Sequence, residues 1–153
     1  MISKEEVLEV QKKWSDGLVK IAVKHKENKD YITEASDFID SVYAYNLGEV
    51  LFKPTLAINP QFRLTKKSAL SYFVGGDSDF PEDTGFALKG WKTIRWENEA
   101  INLEGNIAIC MGNYFFGKEN EEDLKVEYSL VLKKLENGEV KIILHDSHFP
   151  YKK

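Results

Sequence analysis

The spacing of the hydrophobic residues changes once along this chain, near Glu49, and that change dictates the order in which its layers are built. Before it, Val7, Val10, Trp14, Leu18 and Ile21 recur at helical spacing behind Ser3 and Glu6, a pair that fits a capping box. A first amphipathic helix therefore runs to about Lys26. Lys26 to Lys29 reads as a solvated connection, after which Ile32, Ala35, Phe38, Ile39 and Val42 repeat the pattern in a second helix ending near Tyr45 to Gly48. Each helix has one apolar side, and the two pair.

After Glu49 strand-like patterning takes over. Val50 to Ile58 reads as a strand in which Pro54, unable to donate to a ladder, marks an edge or a bulge. Thr65 caps a short helix from Lys66 to Phe73 that stops at Gly75-Gly76-Asp77, and a polar loop spans Ser78 to Thr84. Gly90 to Asn98, Ile107 to Phe116, Leu124 to Leu135 and Glu139 to Phe149 are the remaining strands. They are separated by Glu104-Gly105-Asn106, by an acidic turn from Gly117 to Asp123, and by the hairpin signal Asn137-Gly138.

Helices first and strands second is the α+β order, in which N-terminal helices pack against a curved antiparallel sheet instead of alternating with it. With 153 residues the chain is read as one domain, 1–153, large enough for a sizeable core. A strongly curved sheet over helices stays open at its wide end, which makes the molecule a cone with a pocket lined by alternate strand residues. The opposite sheet face is also expected to be apolar, with Leu130, Leu132, Ile142 and Leu144 on it. A second copy of the chain should cover them, so a homodimer is expected.

A net charge of -4 without a basic stripe argues against nucleic acid as a partner. No window approaches the roughly 18 apolar residues of a membrane span, and the N-terminus lacks the order of a secretory signal, so a cytoplasmic location is expected. One cysteine, Cys110, rules out an internal disulfide; its apolar neighbours make it a buried, inert thiol.

The last strand carries the chemistry. It holds His145 and His148, two of the three histidines, in the run Lys141-Ile142-Ile143-Leu144-His145-Asp146-Ser147-His148. Strand side chains alternate, so His145 and Ser147 share one face while Asp146 and His148 share the other. An imidazole and a hydroxyl buried on one face need partners, because each unpaired buried polar group costs roughly 1 to 3 kcal/mol. Those partners are structural groups or a ligand.

Several blocks, Leu51-Phe52-Lys53-Pro54-Thr55, Gln61 to Thr65, Ala69 to Asp77 and Met111-Gly112-Asn113-Tyr114-Phe115-Phe116, closely resemble one family over about Val10 to Tyr151. That family is the iota-class carbonic anhydrases, which have the nuclear-transport-factor-2-like fold and are similar to the association domain of calcium/calmodulin-dependent kinase II. The resemblance implies reversible hydration of carbon dioxide to bicarbonate without a metal or other cofactor. It also implies that Thr55, Tyr72, His145 and Ser147 are the catalytic residues. The chain departs from the family where His-His-Ser-Ser-Leu-Pro becomes His145-Asp146-Ser147-His148-Phe149-Pro150. The first His and first Ser survive, and a proton relay through the second His does not.

Independently of the family, the ligand inventory is poor for zinc, which normally takes three protein ligands and an open position for hydration chemistry. His25 lies in a charged helix end, and His145 and His148 project to opposite faces. A metal-free route would use hydroxyls and an imidazole instead. Tyr72 and Thr55 donate to developing negative charge, Ser147 holds an oxygen, and His145, with a reference pKa near 6.5, exchanges protons at neutral pH. Candidate substrate-binding residues are Tyr43 at the end of the second helix, and Asn113 and Tyr114, which alternate so that one faces the cavity and the other the partner. Each has a structural alternative: tyrosines there pack against the sheet, Thr55 caps a bulge, and His145 with Ser147 is a satisfied core pair. The rival to an enzyme is a non-catalytic module of the same fold, binding a small organic molecule or associating partners.

Overall fold

The computed structural model describes residues 1–153. Two capped helices lead the chain. In α1 (Lys4–Lys26) the Ser3 hydroxyl accepts from the Glu6 N–H at 3.2 Å while the Glu6 carboxylate accepts from the Ser3 N–H at 3.1 Å, closing the capping box. In α2 (Tyr31–Val42) Asp30 is the cap. Tyr43 then turns extended, and the Ala44 N–H donates to the Ile142 carbonyl at 3.0 Å, which ties the end of α2 to the last strand. Thr65 caps α3 (Lys66–Val74). That helix ends at Gly75, at φ 66, where a side chain would meet the Asp83 carbonyl at 3.2 Å; both the backbone angle and the space require glycine.

The strands are β1 (Leu51–Lys53), β2 (Thr93–Glu104), β3 (Ile107–Gly117), β4 (Leu124–Lys134) and β5 (Val140–His148). They form one sheet in the order β1-β5-β4-β3-β2, antiparallel from β2 to β5, with β1 added in parallel beside β5. The sheet is therefore mixed, by virtue of one three-residue edge strand. That strand is much shorter than the expected Val50 to Ile58, because Pro54 ends it and a turn follows at Thr55 and Leu56. By contrast β2 continues six residues past the expected Asn98, to Glu104. A bulge between Asn98 and Ala100 resets its alternation and hides the second half from a search for a single period. Opposite the bulge, a side chain on Gly112 would lie 2.0 Å from the Glu97 carbonyl, so β3 crosses there on a glycine.

Helices and sheet meet in a core of 31 buried residues, in which Val7, Leu18, Ile21, Ile39, Phe73, Val126 and Leu132 are wholly inaccessible. Burying such a side chain contributes about 1.5 to 3 kcal/mol. The two sheet faces differ from expectation in one respect. Leu130, Leu132 and Ile142 point into this core instead of away from it, each at most 1% exposed. A bulge in β5, between the Leu132–Ile142 and Val131–Leu144 pairs, makes Ile143 the extra residue and puts Ile142 on the same side as His145. The outer face instead carries Leu51, Leu144, Val131 and Ile109 in one register row, with Met111 in the next.

Candidate active site

Six elements converge on the inner face of β5. Parallel pairing sets Phe52 of β1 beside His145, β4 sets Tyr128 opposite Ser147, and β3 brings Tyr114 across from the far side. From the helical layer come Trp14 of α1, Tyr43 at the end of α2, and Tyr72 and Phe73 of α3. Between them lies a tight hollow with about 10 Å³ of free volume, lined by Thr55, Tyr72, Tyr114, His145 and Ser147 on the polar side and by Trp14, Phe52, Pro54, Phe73 and Phe86 on the apolar side.

The polar groups form one connected chain. The Trp14 indole N–H donates to the Tyr43 hydroxyl at 2.9 Å, and that hydroxyl lies 2.8 Å from His145 Nδ1. On the other side of the ring, His145 Nε2 is 3.1 Å from the Tyr114 hydroxyl, which is hydrogen-bonded to Ser147. Ser147 Oγ is 2.6 Å from Thr55 Oγ1. The Tyr72 hydroxyl accepts from the Leu56 N–H at 3.3 Å. Thr55, Tyr72, His145 and Ser147 thus come together around one space.

Aromatic rings hold the imidazole. Phe52 stacks on it at 5.0 Å, Tyr43 at 6.0 Å, and Trp14 meets it edge-on at 5.8 Å. Burial among these rings pushes the His145 pKa down to about 3, so the ring is neutral at ordinary pH and is not the freely titrating imidazole expected from its reference value. Burial has the opposite effect on the phenols. It raises Tyr43, Tyr72 and Tyr114 well above the ordinary tyrosine range, outweighing the hydrogen bonds that favour their ionised forms. All three stay protonated. With no carboxylate on its walls, the hollow is uncharged and rich in hydroxyls.

Two expected substrate contacts fall elsewhere. Asn113 lies on the outer sheet face between Glu97 and Glu127, because β3 alternation that turns Tyr114 inward turns Asn113 out. Tyr43 is buried but stands behind His145 and does not line the hollow. As expected from alternation, Asp146 and His148 are on the outer side, hydrogen-bonded to each other at 3.0 Å.

Sequence reading missed Phe86, on a single 3-10 turn, and the ion pair under Tyr72. Arg63, wholly buried, donates to both oxygens of Asp83 at 2.7 and 2.8 Å and also to the Pro60 and Ser68 carbonyls. Asp83 accepts in addition from Ser71 of α3 at 2.6 Å. This pair clamps the loops on either side of α3 and fixes the helix that presents Tyr72. Nowhere do three His, Cys, Asp or Glu side chains converge with the spacing of a metal site.

Comparison with known proteins bears on this geometry. A family model described as metal-independent carbonic anhydrase matches residues 5–149. A metal-independent carbonic anhydrase from Nostoc sp. (strain PCC 7120) is 42% identical over 153 residues, 98% of this chain and 75% of that protein. The crystal structure of the iota-carbonic anhydrase from a cyanobacterium, complexed with bicarbonate, superposes with a TM-score of 0.96 at 41% identity, covering 99% of this chain and 94% of that one. A putative calcium/calmodulin-dependent protein kinase II association domain from Xanthomonas campestris shares the fold at a TM-score of 0.61 and 18% identity, covering 100% and 91% of the two chains. So does a nuclear transport factor 2-like protein from Salmonella enterica, at 0.51 and 13%, covering 96% and 95%.

Proposed function

The chain belongs to the metal-independent carbonic anhydrase family, and from that premise we propose that the hollow bounded by Thr55, Tyr72, His145 and Ser147 is its catalytic site. The enzyme hydrates carbon dioxide reversibly to bicarbonate without a metal. The observation that carries the site assignment is the convergence of these four residues on one buried, uncharged space. Its free volume of about 10 Å³ is room for about one water, far below the 300 to 1,000 Å³ of a drug-sized ligand pocket. That size favours the enzyme over a module for larger organic ligands.

The chemistry asks for stabilisation of developing charge. Water oxygen bonds to the carbon of carbon dioxide, one carbon–oxygen π pair moves onto oxygen, and the water proton is released as bicarbonate forms. The apolar wall of Trp14, Phe52, Phe73 and Phe86 accommodates neutral carbon dioxide. The Thr55, Tyr72 and Ser147 hydroxyls stand where the new oxyanion needs donors, fixed before the reaction and shielded from bulk water. Because burial keeps the Tyr72 phenol protonated, it serves as a donor and not as the base. Chelator-treated protein should accelerate carbon dioxide hydration in a stopped-flow assay, and Ser147→Ala should remove most of that rate with the fold intact. Full activity in Ser147→Ala would place the chemistry elsewhere.

The same reading includes a homodimer through the outer sheet face, where Ile109, Met111 and Leu51 are 48%, 55% and 57% exposed. Contiguous exposed apolar surface of this kind marks an interaction face. Sedimentation should give a dimer that Ile109→Lys dissociates; a monomeric wild type would end this part of the proposal. We place the enzyme in the cytoplasm, where a lone thiol such as Cys110 stays reduced. No helix is long and apolar enough to cross a membrane.

A further inference from the structure

The hydrogen-bond chain behind the hollow has a direction, and its far end sets that direction. The Trp14 indole carries a hydrogen and no acceptor, so at 2.9 Å it donates to the Tyr43 oxygen. Tyr43 is fully buried, and the acceptor within reach of its own hydrogen is His145 Nδ1 at 2.8 Å. The opposite arrangement, with Nδ1–H donating to Tyr43, would leave the Tyr43 hydrogen buried with nothing to receive it. Tyr43 therefore donates to Nδ1, and the single hydrogen of the neutral imidazole sits on Nε2.

The rest follows link by link. Nε2–H donates to the Tyr114 oxygen, whose hydrogen goes to Ser147, and Ser147 shares a hydrogen bond with Thr55 Oγ1. Thr55 also reaches the Tyr72 hydroxyl, which accepts from the Leu56 N–H. Five hydrogens, on Nε2 and on the hydroxyls of Tyr114, Ser147, Thr55 and Tyr72, serve four links, so at least one is left over, and all four hydroxyls line the hollow.

We propose that Tyr43, backed by Trp14, is a positioning residue that sets the sense of this chain, holds His145 as the neutral Nε2–H tautomer and leaves a hydroxyl hydrogen facing the hollow. Such a site offers a hydrogen to a group that accepts, an oxygen of carbon dioxide or of an oxyanion. His145 in this state orients Tyr114 and is not the base that takes the proton from water. Carrying that proton inward would require every hydroxyl to reverse, and the path ends at an indole N–H that cannot accept. The proton leaves instead through water at the mouth of the hollow. This inference deepens the catalytic reading above and rests on it for its meaning, but its test does not depend on activity.

Long-range proton–nitrogen correlation on protein with ¹⁵N-labelled histidine reads the tautomer directly, with His145 assigned by its loss in His145→Asn. The wild type at neutral pH should show a protonated Nε2 and a bare Nδ1, with or without bicarbonate. Tyr43→Phe should keep the fold, populate both tautomers, and weaken bicarbonate binding roughly tenfold, the equivalent of about one hydrogen bond. A protonated Nδ1 or an imidazolium in the wild type overturns the proposal, as does a Tyr43→Phe protein with unchanged tautomer and affinity. Should Tyr43→Phe fail to fold, the wild-type spectrum alone decides. Inactive wild-type protein with the Nε2–H tautomer would count against the catalytic assignment and leave the polarity standing.

Discussion

Two buried polar systems adjoin Tyr72, and they end differently. The Arg63–Asp83 pair is charged and closes on itself: guanidinium hydrogens go to the Asp83 carboxylate and to two backbone carbonyls, and the carboxylate takes one more bond from Ser71. The chain from Trp14 to Thr55 is uncharged and open at one end. A third system, Gln11 with Asn98, Cys110 and Tyr128, is again closed, each amide serving the other. A closed system has nothing left for a ligand and acts as scaffold, whereas leftover donors aimed into a cavity make a site. Counting which hydrogens remain unclaimed separates the two more sharply than burial does, since all three are buried.

The charged Arg63–Asp83 side carries the larger share of stability. Asp83→Asn should lower the free energy of unfolding by about 3 kcal/mol in denaturant titration, because it leaves the buried Arg63 guanidinium with only the Glu82 carboxylate, at 3.5 Å, as a charged partner. Activity should fall with the population of folded protein and not ahead of it. On the open side the order reverses. Tyr72→Phe should lower kcat by about 100-fold, the loss typical of one oxyanion donor, while the melting temperature hardly moves. A Tyr72→Phe enzyme with wild-type kcat would mean that its hydroxyl hydrogen is not used.

Acid sharpens the contrast further. Burial lowers the folded-state pKa of His145 to about 3, below its unfolded value of 6.5, so the unfolded chain binds the proton more readily. The associated stability is complete above about pH 6.5 and is lost as pH falls from there toward 3, at no more than about 1.4 kcal/mol per pH unit from this one group. His145→Gln should remove that part of the slope between about pH 6.5 and 5.5, measured by denaturation at each pH. An unchanged slope would mean that His145 is not held neutral. The smallest effect belongs to the remaining closed system. Gln11→Leu should cost about 1 kcal/mol and leave the hydration rate unaltered, since nothing in that network reaches the hollow.

Much of this architecture is legible before any coordinates. Ser3 with Glu6, and Thr65 before Lys66, announce their helices because the caps are local, and the alternation of β5 correctly separates His145 and Ser147 from Asp146 and His148. What stays hidden has two physical causes. Bulges shift alternation by one residue, which is why Ile142, Leu130 and Leu132 were expected on the wrong face and why β2 seemed to stop at Asn98. Pairings distant in sequence leave no periodic trace, so Arg63 with Asp83 is invisible, and so is the hydrogen bond that holds Tyr43 behind His145, 102 residues away, and out of the lining of the hollow. The fall in the His145 pKa is equally unreadable, because it comes from Phe52, Tyr43 and Trp14 closing around the ring from three separate elements.

On the proposed assignment, buried hydroxyls and not a metal do the catalysis in this hollow. Stopped-flow hydration of carbon dioxide by exhaustively chelated protein, with metal content measured on the same sample and Thr55→Val and Tyr72→Phe run beside it, tests this most directly. Metal-depleted wild type should hydrate carbon dioxide well above the buffer blank, and the rate should collapse in both variants. A rate that vanishes with the metal and returns on adding it back, or that survives both substitutions, would contradict that assignment.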